Sequence, residues 1–197
     1  RLHVTHVTTE KSVNLIREMK MKNNLVSAEV TPHHLYFNVE YLESYNTNLK
    51  VAPPIRSEND RQSLINGLAD GTIDCIATDH APHSVHEKET TFDLATCGMI
   101  GLESCFGAVN KILVENKSFQ LMDLISLLTT KPRKLMGFES DLFQEGTEAE
   151  ITVFDPRKEW VFNQNNIQSK SKNSAFLGEK LKGFINYTIS KGFVGKN

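Results

Sequence analysis

Long apolar runs are missing from this sequence. None of its 197 residues belongs to a stretch approaching the roughly 20 needed to cross a bilayer, and no signal-peptide pattern opens the chain. Cysteine is scarce: Cys75, Cys97 and Cys105 are odd in number and lack C-x-x-C spacing, which argues against a disulfide framework. They read as reduced thiols, two of them core residues. Charge excess is missing too. A formal net charge of −2 gives no electrostatic reason to expect nucleic acid or an anionic membrane as partner. There is no internal repeat beyond strand–helix alternation, and no low-complexity tract beyond a polar stretch at 163–175. These exclusions predict a soluble, cytoplasmic protein with a core of its own. Histidine is absent from everything after residue 86. All seven, His3, His6, His33, His34, His80, His83 and His86, lie before that point and group at expected strand ends.

The segment Thr78-Asp79-His80-Ala81-Pro82-His83 follows the apolar run Ile73-Asp74-Cys75-Ile76-Ala77. Such a run reads as a buried strand, and the proline after it stops regular structure. Asp79 then stands at the C-terminal tip, where parallel α/β proteins place their chemistry. A carboxylate beside imidazoles is a metal ligand, a proton shuttle, or both. A His-rich surface turn is the plain alternative.

Periodicity predicts strands over 2–7, 25–30 and 72–77. It predicts helices over 11–22 (capped by Thr8 or Thr9, ended by Asn23-Asn24), over 58–69 (capped by Ser57), over 102–115 and over 120–128 (capped by Ser118). A short helix starts near Pro132 and stops at Gly137. A long polar and aromatic connection links 31 to 56, and 84–98 reads as a lid or binding loop. After 137 the texture changes to short strands over 150–154, 181–189 and 193–194. Three parallel strands are too few for a closed (β/α)₈ barrel, which takes about 250 residues. The sheet is therefore small and open, or the chain is the last part of a barrel.

His6 and Asp79 stand at tips of non-adjacent strands, and one imidazole plus one carboxylate suits zinc. Two ligands are still one short of the usual catalytic minimum of three. His83 can face the same cavity if its turn folds back. His80 reads as supporting structure, His33 and His34 likewise, and His86 as a solvated loop residue. Lys50 and Arg56 can meet a substrate carboxylate or simply be solvated. Cys97-Gly98 can offer close backbone contacts, since glycine permits close approach.

Several segments occur in order: His6-Val7-Thr8-Thr9, Ala28-Glu29-Val30-Thr31-Pro32-His33-His34-Leu35, Lys50-Val51-Ala52-Pro53-Pro54-Ile55-Arg56, and the stretch 70–83. With 98–103, 146–150 and 169–174 they cover nearly the whole chain. Together they resemble the second half of a class I dihydroorotase of the amidohydrolase superfamily. The turn 78–83 is shared with related cyclic amidohydrolases, while Glu29–Leu35 favours dihydroorotase.

The resemblance implies the C-terminal part of a (β/α)₈ TIM barrel, about strands 6–8, over 1–140. A segment of a small β-sandwich subdomain would occupy 141–197. It implies a zinc centre of one or two ions that activates water to open the ring amide of dihydroorotate, giving N-carbamoyl-L-aspartate, with ring closure in the biosynthetic direction. By position His6 and Asp79 match metal ligands, and Asp79 also matches the catalytic proton carrier. His83, the backbone at Cys97-Gly98, and position 52 match substrate contacts. At 52 this chain departs from the pattern: Ala52 stands where many members carry asparagine. The first-strand His-x-His, the bridging Lys or Asp and the fifth-strand His have no counterpart here. The expectation is half a site, inactive alone, completed by the N-terminal half of the barrel. A homo-oligomer and aspartate transcarbamoylase are further expected partners. A hydantoinase- or allantoinase-like hydrolase and an inactive dihydroorotase-like scaffold are the competing readings.

Overall fold

The computed structural model describes residues 1–23, 25–141 and 143–196. Its first half is a parallel sheet in the order β1 (Leu2–Val4), β2 (Val26–Val30), β3 (Cys75–Ile76). Helix α1 (Glu10–Lys22) connects the first pair. Between β2 and β3 lie α2 (Pro32–Tyr36), two short 3₁₀ turns and α3 (Glu58–Ala69).

The helix starts follow side-chain capping. Thr9 accepts from the Ser12 amide at 3.2 Å, and Ser57 does the same for Asp60 at 3.2 Å. Asn23 closes α1 as expected, while Asn24 lies outside the described residues. Alternation along β2 sends Ala28 and Val30 into a core with Val13, Ile16, Leu64, Leu68 and Leu124. It leaves Ser27 and Glu29 on the opposite face of the sheet.

Strand β3 is shorter than the expected 72–77, because Asp74 competes for the ladder. Its carboxylate accepts from the Ala28 amide at 2.8 Å and from Lys20 at 2.6 Å. The expected connection from 31 to 56 is partly helical, with Thr31 capping α2 and Pro32 in its first turn.

Beyond β3 come α4 (Val85–Lys88), inside the expected loop 84–98, and α5 (Leu102–Val109), which continues as a π-helical segment over Asn110–Glu115. Next are α6 (Leu121–Leu128) and α7 (Thr130–Met136). The cap of α6 is Gln120, not Ser118: a reciprocal box pairs Gln120 with Asp123.

The last part is an antiparallel sheet of β4 (Ile151–Val161), β5 (Lys180–Ser190) and β6 (Phe193–Lys196). β4 runs through Asp155-Pro156 rather than ending there. A register shift between Asp155 and Glu159 lets the ladder pass a residue with no amide hydrogen. This sheet does not stand apart. Phe162, Phe176 and Leu181 share a buried cluster with Tyr36, Phe37, Met99 and Ile100 from the first part. Among the described residues no helix is long and apolar enough to cross a membrane.

Candidate metal centre and the loops beside it

The two residues expected to head the site stand just beyond strand ends on left-handed backbone, His6 at φ 53° and Asp79 at φ 47°. Side chains other than glycine rarely hold this conformation, which costs about 1–3 kcal/mol and clusters at functional sites. It turns both side chains off the strand alternation and toward each other. His6 Nε2 lies 3.4 Å from Asp79 Oδ1.

Other groups join them. His6 Nδ1 is 3.1 Å from Glu29 Oε1, at ion-pair distance but without good hydrogen-bond alignment. Glu29 Oε2 is 3.1 Å from His3 Nε2, whose Nδ1 is hydrogen-bonded to Ser27 Oγ at 2.8 Å. On the far side, His33 Nε2 is buried without a hydrogen-bond partner and lies 3.9 Å from Asp79 Oδ2.

Burial holds the Asp79 carboxyl above the usual carboxylate range. His6 opposes that shift, and Glu29 adds to it. Burial, helped by His34 and His6, holds His33 well below the usual imidazole range, so its ring is neutral.

The spacing and donor types of these residues suit a divalent cation. Two donors bound tetrahedrally at about 2.0–2.1 Å from zinc sit roughly 3.4 Å apart, close to the His6–Asp79 separation. A neutral imidazole with a bare nitrogen stands beside them. His6 and Asp79 can hold the ion, with His33 facing it. A second convergence, of His3, Glu29 and Cys75, keeps its donor atoms within 4.8 Å of one another. Burial and the neighbouring acids push the Cys75 thiol up to about 12, so that group is not poised as a thiolate.

The remaining expected residues sit in a loop cluster beside the Asp79 turn. His83 Nε2 pairs with the Cys97 carbonyl at 2.9 Å, and its amide donates to Asn173 Oδ1 at 3.1 Å. The Gly98 carbonyl accepts from buried Lys88 at 3.0 Å and from Asn173 at 3.3 Å. The Gly98 amide donates to the Lys50 carbonyl at 2.8 Å, and Lys50 Nζ is bound to the Asp93 carbonyl. Ala52 and Arg56 are exposed. A cavity of about 360 Å³ opens here, with His83, Lys88, Lys170 and Lys172 among its lining.

His80 is structural, as expected. Its Nδ1 accepts from the Gly101 amide at 3.1 Å, at the start of α5. His34 is structural too, bonded to Thr31 Oγ1 at 2.6 Å and to the Pro53 carbonyl at 2.9 Å. His33 is not: the structural role expected for it leaves no account of a buried nitrogen facing Asp79. Glu29 and His3 were also missed. The available signal was a carboxylate placed between Ala28 and Val30 in a strand whose other face is core.

His34 yields a stability test. Burial outweighs its bond to Pro53 and lowers its pKa to about 4. The unfolded chain therefore takes up the proton first as pH falls. The contribution of the neutral ring is complete above pH 6.5 and is lost between 6.5 and about 4, on the order of 3 kcal/mol. Urea denaturation at pH 7 and 4.5 should show that loss, and His34→Gln should reduce it, the share of His33 remaining. An equal pH dependence in the variant would refute the assignment.

Residues 2–194 match the amidohydrolase family. The chain belongs to that family. Metal dependence is general among amidohydrolases, in keeping with the donor set described above. The chain is 43% identical over 192 residues to a dihydroorotase of Elusimicrobium minutum, and 42% over 192 residues to one of Thermoanaerobacter sp.. Each alignment takes in 98% of this chain but 44% of the relative, so this amidohydrolase chain spans less than half their length. Among solved structures, an L-hydantoinase (dihydropyrimidinase) from Arthrobacter aurescens superposes with a TM-score of 0.88 at 28% identity. That match covers 98% of this chain and 44% of the hydantoinase.

Proposed function

We propose that this chain supplies the C-terminal half of a zinc-dependent dihydroorotase, interconverting dihydroorotate and N-carbamoyl-L-aspartate in pyrimidine biosynthesis. On this reading residues 1–140 are the C-terminal portion of a TIM barrel, with β1, β2 and β3 as its strands six to eight. The antiparallel sheet belongs to a β-subdomain over 141–197. The observation that carries the reading is the 3.4 Å approach of His6 and Asp79 on strained backbone, with bare His33 beside them. Identity of 40–45% to relatives named dihydroorotase supports the substrate.

A bound zinc would lower the pKa of water and polarise the ring carbonyl. Asp79 accepts a proton from the attacking water as the oxygen adds to the ring amide carbon. It returns that proton to the ring nitrogen as the C–N bond breaks. His6 would hold the zinc, and neutral His33 can either donate or accept one hydrogen bond at Nε2, depending on its tautomer. His83, with the Cys97-Gly98 backbone, forms the substrate side. The Ala52 side chain offers it no hydrogen bond.

The remaining zinc donors come from an N-terminal half-barrel. Leu2 on β1 and Leu15 and Met19 on α1 are exposed, apolar surface of the kind such a half would cover. The assay is zinc content and dihydroorotate turnover of these residues with and without that half. Activity only in the combination is expected, and activity of residues 1–197 alone would overturn the half-site reading. The similarity to L-hydantoinase keeps one alternative open, so hydantoins belong in the assay. Faster turnover of hydantoin than of dihydroorotate would reassign the substrate.

Gly98 offers a test of the substrate side. Its φ is 133°, and an added Cβ would lie 2.7 Å from Ala81 Cβ and 2.8 Å from His83 Nε2. Gly98→Ala should displace the His83 ring and raise KM for dihydroorotate by about tenfold, the equivalent of one lost hydrogen bond. Steady-state kinetics check this, and an unchanged KM would remove His83 from the substrate contacts.

A further inference from the structure

Glu29 sits between the proposed centre and a second pair of side chains that the reaction does not use. Its two oxygens are divided, Oε1 to His6 and Oε2 to His3, each at 3.1 Å. An ionised carboxylate can only accept, so each ring must present an N–H to it. For His3 this fixes the proton on Nε2, leaving Nδ1 to accept from the Ser27 hydroxyl at 2.8 Å. The hydroxyl's other acceptor, the Leu2 carbonyl, is far poorer at 3.5 Å. His6 faces a carboxylate on each side, but Glu29 Oε1 is nearer to Nδ1 at 3.1 Å than Asp79 Oδ1 is to Nε2 at 3.4 Å, which favours the proton on Nδ1 and leaves Nε2 toward Asp79. Strand register keeps the carboxylate in place: Glu29 pairs with Cys75 across the ladder, and Ala28 and Val30 on either side are fully buried.

We propose that Glu29 is the positioning residue of this centre, with Ser27, His3 and Glu29 forming a hydrogen-bonded chain that holds His6 with Nε2 free for the ion. The identity of that ion rests on the dihydroorotase reading; the tautomer of His6 does not. A carboxylate behind a ligating imidazole orients the ring and raises its basicity, and losing such a partner typically costs 10–100-fold in metal affinity.

The test uses the assembled protein, this chain with the N-terminal half. Zinc affinity is read by chelator competition, and the His6 tautomer by ¹⁵N shifts of labelled histidine in the metal-free state. Wild type should show the Nδ1–H form. Glu29→Ala should shift His6 toward Nε2–H. Glu29→Gln, nearly the same volume and the safer variant for folding, should weaken zinc 10–100-fold. Ser27→Ala, at the outer end of the chain, should change affinity less than threefold. A tautomer unchanged in Glu29→Ala, or zinc affinity within twofold of wild type in Glu29→Gln, overturns the proposal. If the wild-type assembly binds no zinc, the dihydroorotase reading fails, while the tautomer measurement still decides the role of Glu29.

Discussion

On the proposed reading, Asp79→Asn should lower dihydroorotate turnover by about 10²–10⁴-fold, the range expected when a positioned proton carrier is lost. The substitution isolates chemistry from folding. Asp79 holds φ 47°, and asparagine is among the few residues that tolerate left-handed backbone. Its shape matches aspartate, so the contacts of the turn survive. The amide cannot take up a proton from water at neutral pH, and it is a weaker donor to a divalent cation. Because burial disfavours the Asp79 charge, the neutral side chain should leave the stability of the metal-free protein unchanged or slightly raised. Kinetics of the assembled enzyme and thermal denaturation of its metal-free form therefore separate the two effects. A variant retaining a tenth of wild-type activity would remove Asp79 from the proton path.

The comparison of sequence and structure turns on which signals are local. Caps and apolar spacing are local, and α1 and α3 were legible within a residue or two from Thr9, Ser57 and the Val13/Ile16 and Leu64/Leu68 spacings. The Asp79 turn was legible because an apolar strand followed by Asp-His-Ala-Pro has few other readings. Harder to see were outcomes of competition between non-neighbours. Asp74 shortens β3 by capturing the Ala28 amide, 46 positions away, and Pro156 is absorbed into β4 by a register shift. His33 illustrates the same limit within the site. Sequence gives two adjacent histidines, but only tertiary placement shows that His34 is consumed by Thr31 and Pro53 while His33 keeps a bare nitrogen. Glu29 was legible as a residue of a matching segment, not as a partner of His6, because its role depends on two rings from another strand.

The polar tract at 163–175 illustrates the converse, a stretch that reads as an idle loop and carries both packing and the site. Phe176, just past its end, is fully buried, with its ring 4.8 Å from Phe37 and 5.2 Å from Tyr36. Tyr36 in turn donates to Glu179 at 2.7 Å, so the ring cluster joins α2 to the segment leading into β5. Phe176→Ala should cost about 3–5 kcal/mol, the lost transfer energy plus the cavity left beside the Tyr36 and Phe37 rings. Phe176→Leu, which refills most of that space, should cost well under half as much. The loss should also reach the site. Asn173, three residues earlier, binds the His83 amide, the Ala81 carbonyl and the Gly98 carbonyl, and it keeps that position only while the segment is anchored. KM for dihydroorotate should thus rise in Phe176→Ala under conditions where the variant is still folded, with kcat falling less, because Asp79 and His6 are held by other strands. Denaturant midpoints at constant m-value give the stability and steady-state assays give the kinetic split. A cost below about 1 kcal/mol, outside the range for a buried aromatic, or a fall in kcat without a rise in KM, would show that the loop and the parallel sheet are not coupled through this ring.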